Sequence, residues 1–106
     1  MNLALDYDDT YTRDPIFWDA MIGLAQQRGH KVYCITARSP KDSDEVYRDL
    51  GKLLGNDACL FTNMTAKKTF AFKQGVCIDV WIDDSPYFVN NGVEVKTDND
   101  FISLWT

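Results

Sequence analysis

Apolar residues along this chain gather in short runs separated by longer amphipathic stretches. Four β-prone runs stand out, at 3–7, 32–36, 58–62 and 78–82, with a weaker one at 93–95. Several are nearly continuous in apolar residues rather than alternating, the pattern of strands buried on both faces of a parallel sheet. Between them the spacing is helical. In DPIFWDAMIGLAQQRGHK, Asp14 can cap a helix with Pro15 in its first turn. Phe17, Met21, Leu24 and Ala25 recur at helical spacing, and Gly29 ends the pattern. In SPKDSDEVYRDLGKLLG, Ser39 and Pro40 open a second helix, Val46, Leu50 and Leu53 form its stripe, and Gly55 stops it. TAKKTFAFKQG reads as a shorter third helix with Gly75 past its end, and 101–105 as a last short one. Alternating strand and helix predicts right-handed βαβ units in a three-layer α/β domain with a parallel sheet of about five strands. With no linker, repeat or low-complexity segment, residues 1–106 read as one domain.

Composition narrows the classes. The chain is 45% hydrophobic and 25% charged, the proportions of a folded globular protein. No stretch approaches the roughly 20 apolar residues that span a bilayer. The first residues lack a basic, then apolar, leader and reach acid by Asp6, so the expected location is cytoplasmic. A net charge of −5 opposes nonspecific binding to nucleic acid or anionic membranes, but not an anionic substrate held locally. Cys34, Cys59 and Cys77 are odd in number, lack C-x-x-C spacing and lie in or beside apolar runs, so they read as reduced core thiols. His30 is the only histidine, which leaves no zinc ligand set.

In open parallel sheets, ligands bind beyond the carboxyl ends of the strands. The chemistry-bearing residues fall there. The first run ends in Asp6-Tyr7-Asp8-Asp9-Thr10, the second in Thr36-Ala37-Arg38, and the fourth in Asp83-Asp84-Ser85-Pro86; Lys67 and Lys68 open the helix after the third. Carboxylates converging from two strands repel one another unless a hard, oxygen-seeking cation joins them, and Mg²⁺ fits that donor set. Lysine and threonine add donors for phosphoryl oxygens, and one aspartate stays free to attack phosphorus. Lys67 is preferred over Lys68 because it shares a helical face with Phe70, Ala71 and Gln74.

These four segments, LALDYDDTY, VYCITAR, TAKK and VWIDDSP, resemble in order the four motifs of the haloacid dehalogenase (HAD) superfamily, mostly Mg²⁺-dependent phosphatases. The resemblance implies a Rossmannoid fold, and roles follow from it position by position. Asp6 would be the nucleophile, and Asp8 the acid and base, its backbone carbonyl also on the metal. Thr36 would hydrogen-bond the transferring phosphoryl group and Lys67 neutralise its charge. Asp83 and Asp84 would complete the metal site, and Thr10 would hold the loop in shape. Too few residues separate the motifs for a cap domain, which implies an open site, a phosphorylated small molecule or an exposed phosphate on a macromolecule as substrate, and room for a homodimer. Nucleic acid would enter only as a substrate. Arg38, directly after the motif threonine, could grip a second anionic group of a substrate.

Bland readings stand beside this one. Clustered acids alone are more often a solvated turn, Asp-Asp-Ser-Pro is an ordinary turn signal, and a lone lysine usually faces water. Trp18, Trp81 and Trp105 read as packing residues. An EF-hand reading of DYDDTYTRDPIF fails, because Tyr11 stands where the loop needs glycine and Phe17 where it needs glutamate. Two rival functions remain. A receiver-like phospho-acceptor domain would carry its acid after the third strand, which here ends LFTN. A non-catalytic binding module on the same fold would be expected to have lost Asp6 or Asp8.

Overall fold

Four of the apolar runs form a parallel sheet: β1 (Asn2–Leu5), β2 (Lys31–Thr36), β3 (Cys59–Phe61) and β4 (Val80–Ile82). The computed structural model describes residues 1–92. The expected strand at 93–95 and helix at 101–105, with Trp105, lie outside the described residues. The strand order is β3-β2-β1-β4. The chain steps outward from β1 to β3, then crosses back to lay β4 on the other side of β1. Strand ends are shorter than the apolar runs. β1 stops at Leu5, and one further bond, from the Asp6 amide to the Ile82 carbonyl at 2.9 Å, closes its pairing with β4. Residues 6–12 then turn on themselves, with Tyr11 and Thr12 amides donating to the carbonyls of Asp6 and Tyr7.

Both sheet faces are covered, which is why the strands carry unbroken apolar runs. Leu3, Leu5, Val32, Cys34, Cys59 and Phe61 face one side, Ala4, Tyr33 and Ile35 the other. The first side is covered by α1 (Pro15–Gln27) and by the helical stretch that includes α2 (Asp44–Val46) and α3 (Lys52–Leu54). On the second, Ala71 of α4 (Lys67–Lys73) packs with Val76, Ile78 and Trp81. A short α5 (Tyr87–Asn90) follows the fourth strand; the sequence reading had only a turn there. No further domain interrupts the described residues, and no helix among them is long and apolar enough to cross a membrane.

α1 begins as its sequence dictates: the Asp14 carboxylate accepts the Phe17 amide at 3.2 Å and Pro15 occupies the first turn. Gly29 ends it at φ 81°, a left-handed conformation that glycine adopts without a Cβ penalty. The buried face differs from the expected stripe. Trp18, Met21, Ile22 and Ala25 point inward, whereas Phe17 and Leu24 are exposed. Apolar residues surround this helix, so periodicity alone left its rotation undetermined.

The second helical stretch is broken. A 3₁₀ turn at Pro40–Asp42 leads to α2, a π-helical turn at Tyr47–Gly51 and then α3. Val46 and Leu50 are buried as expected, but Leu54 replaces Leu53 against the core. A π turn holds more residues per turn than an α turn and moves the inward face on. Cys34 and Cys59 are buried; Cys77 is exposed, against the expectation of a core thiol.

Candidate functional site

Because β4 lies beside β1 with Leu5 opposite Ile82, the residues after each strand, Asp6 and Asp83, leave the sheet as neighbours. This is also where the winding direction reverses, the place at which open α/β sheets part to admit a ligand. Asp6, Asp83 and Asp84 each offer a carboxylate oxygen, and these atoms lie within 4.8 Å of one another. They line a cavity of about 160 Å³ together with Asp8, Asp9, Thr36, Ala37, Lys67, Ser85 and Phe88.

Lys67 reaches the cluster from the first residue of α4. Its Nζ donates to Asp6 Oδ1 at 2.8 Å and to Asp83 Oδ2 at 2.5 Å. Its side chain is 3% exposed, whereas Lys68 faces solvent; of the adjacent pair, Lys67 meets the acids. Thr10 joins the two strand ends. Its hydroxyl lies 3.2 Å from both Asp6 Oδ2 and Asp84 Oδ1, and accepts the Asp84 amide at 3.2 Å. The Ser85 amide donates to Asp83 Oδ1 at 2.9 Å and fixes that carboxylate.

Three carboxylates against one ammonium leave a formal charge of −2, with the Asp6, Asp83 and Lys67 side chains nearly covered and Asp84 exposed. Burial, with the opposed Asp84 carboxyl adding to it, pushes Asp6 up to about 7, although Lys67 pulls it down. Asp84 is held below the usual carboxylate range, first by its hydrogen bond with Asp6. Burial works against the Lys67 ammonium, but its bonds to Asp6 and Asp83 outweigh it and the group stays charged. Three acids facing one ammonium are short of positive charge by simple count. The cluster's all-oxygen donors fit a hard divalent cation, and Asp6, Asp83 and Asp84 are the residues that can hold one.

The remaining expected residues sit at the rim. Thr36 is buried at the end of β2, lines the cavity, and accepts the Arg38 amide on its hydroxyl at 3.3 Å. Asp8 also lines the cavity, but its carboxylate is outside the acidic cluster. Arg38 holds it through two parallel bonds, Nε to Oδ2 at 2.9 Å and Nη2 to Oδ1 at 2.8 Å. Asp9, next in the loop, has φ 62°, which turns the chain sharply there.

Tyr7 was expected at the rim of the site, but neither its partner nor the contribution of Phe88 was anticipated. Phe88 of α5 forms a wall of the cavity; a four-residue helix carries too little periodicity to be read from sequence. Tyr7, between two of the acids, is buried, donates its hydroxyl to Asp49 at 2.5 Å and lies under the Arg38 guanidinium, 5.0 Å from ring centre. Its place in an apolar run signalled burial, but not the partner 42 residues away. No family model, no curated protein and no solved structure matches the chain.

Proposed function

We propose that this chain is a capless, Mg²⁺-dependent phosphomonoesterase of the HAD type, working through an aspartyl phosphate on Asp6. The observation that carries the reading is convergence. Asp6, Thr36, Lys67 and Asp83, spread over 78 positions of sequence, line one small cavity at the reversal point of the sheet. The charge deficit of the acidic cluster supports a divalent cation, and Mg²⁺ is the hard, oxygen-preferring ion that phosphoryl chemistry uses. When bound, it would neutralise charge on the phosphoryl oxygens and on Asp6.

The chain's own residues supply the rest. Asp6 attacks phosphorus through a carboxylate oxygen, and the bond to the ester oxygen breaks. Asp8 donates a proton to that departing oxygen, then takes one from the water that attacks the acyl phosphate, releasing inorganic phosphate and restoring Asp6. Lys67 favours the ionised form of Asp6 and orients it for attack, and Thr36 offers a hydroxyl to a phosphoryl oxygen. Asp83 and Asp84 would hold the cation, and Ser85 and Thr10 fix their carboxylates.

The test is to trap the intermediate. The Asp8→Asn protein, in which hydrolysis of the acyl phosphate is slowed, is incubated with an aryl phosphate and Mg²⁺, quenched in acid, reduced with borohydride and mapped by mass spectrometry. Reduction at Asp6 is expected. A mark on another carboxylate, or none, rejects the assignment.

A further inference from the structure

The general acid of the proposed reaction does not face its work. The Asp8 carboxylate is gripped by both arms of the Arg38 fork, a geometry that makes this pair stronger than a simple surface contact. The two partners are unequally anchored. Arg38 also donates Nη1 to the Asp42 carbonyl at 3.0 Å, has Glu45 3.7 Å from Nη2, and stacks over Tyr7, itself tied to Asp49. Its side chain is 21% exposed, whereas that of Asp8 is 50% exposed. Among the described residues, Asp8 has no side-chain partner except Arg38. If the pair parts, Asp8 moves and Arg38 stays.

The surroundings say what could part it. A second cleft that Arg38 lines, about 440 Å³, is bordered by Lys41 but also by Asp42, Asp44 and Glu45. That acidic wall disfavours an anion arriving from outside. On the cavity side, Asp8 itself lines the space in front of Asp6 and Thr36. Arg38 does not itself line that cavity; it lies behind Asp8, with its fork occupied by the carboxylate, so an anionic oxygen that takes the place of Asp8 would meet a guanidinium already oriented.

We propose that Arg38 is a positioning residue that keeps the Asp8 carboxylate at the rim of the cavity and exchanges it for an anionic oxygen of the phosphorylated substrate. Substrate binding then does two things at once. It fills the fork of Arg38, and it frees the Asp8 carboxylate, which takes up a proton from solvent once the guanidinium is gone, to swing toward the ester oxygen. The inference rests on the phosphohydrolase reading above, and its test separates the two.

The test is a double-mutant cycle on the binding of inorganic phosphate, measured by calorimetry in Mg²⁺ with wild type, Asp8→Asn, Arg38→Met and the double variant. Turnover is not needed. Exchange requires that phosphate compete with Asp8 for Arg38. Asp8→Asn should therefore bind phosphate about tenfold more tightly than wild type, and Arg38→Met more weakly. In the Arg38→Met background, Asp8→Asn should change affinity by less than about twofold, since nothing is left to compete for. An Arg38→Lys protein, which keeps the charge and loses the fork, should fall between wild type and Arg38→Met. Equal tightening with and without Arg38 would show only general charge repulsion and overturn the exchange, while leaving the phosphatase reading intact. No tightening in Asp8→Asn overturns it as well. Absence of phosphate binding in every variant removes the phosphoryl site itself, and the exchange with it.

Discussion

Replacing Lys67 by methionine removes an ammonium that is 3% exposed and joined to two carboxylates, Asp6 and Asp83, whose side chains are 8% and 4% exposed. Breaking a buried pair from one side leaves uncompensated charge, at about 3–5 kcal/mol. Here the loss depends on pH, because Asp6 can escape by taking a proton. Its carboxyl stands at about 7 in the folded protein against 3.8 as a free side chain. The native state therefore binds the extra proton between those values. The stability it confers is complete below pH 3.8 and is lost as pH rises through 7. That amounts to about 4 kcal/mol for the isolated group, part of it offset by the lowered Asp84. At pH 5, Asp6 is already mostly neutral, and Lys67→Met forfeits chiefly its charged hydrogen bond to Asp83, about 2 kcal/mol. At pH 8 both carboxylates are stranded, and the loss should approach about 4 kcal/mol. Urea unfolding of wild type and variant in EDTA, at both pH values, measures the difference. An equal loss at pH 5 and pH 8 would refute the reasoning, because it would mean Asp6 does not change its protonation between them.

The remaining expectations are independent. Thr10→Val removes the hydroxyl that joins Asp6 to Asp84 and should lower stability by about 1–3 kcal/mol in the same urea assay; no change would mean the bridge contributes nothing. Asp83→Asn should raise the Mg²⁺ concentration needed for thermal stabilisation at least about tenfold, read from melting temperature across a Mg²⁺ titration. An unchanged titration removes Asp83 from the ligand set. Leu54→Ala should cost about 2 kcal/mol and Leu53→Ala less than about 0.5, as the π turn rotates the first and not the second onto the core; the reverse order would restore a continuous α-helix.

What the sequence revealed follows from where its signals are local. Aspartates after an apolar run mark a strand end whatever the strand pairs with, so Asp6 and Asp83 were both found, and a parallel sheet brings them together. Lys67 could be separated from Lys68 because helical periodicity distinguishes adjacent residues. Asp14, Pro15 and Gly29 bounded α1 correctly, since caps act within one turn. The rotation of α1 was not legible, because Phe17 and Leu24 are as apolar as Trp18 and Ile22 and only tertiary packing chooses between them. The π turn at Tyr47–Gly51 leaves no local mark either, and it displaced the expected Leu53 by one residue. The partnership of Asp8 with Arg38 depends on loop geometry at the ends of two strands. Sequence placed both residues at the site but not in each other's grasp.

The central claim is that the acids at the ends of β1 and β4 form a metal-dependent phosphohydrolase centre. The most direct measurement is hydrolysis of p-nitrophenyl phosphate by the wild-type protein with Mg²⁺, with EDTA in its place, and by Asp6→Asn in Mg²⁺. The account expects turnover in the first case and none in the other two, with Asp6→Asn still folded. Turnover that survives EDTA or the loss of the Asp6 carboxylate would contradict it.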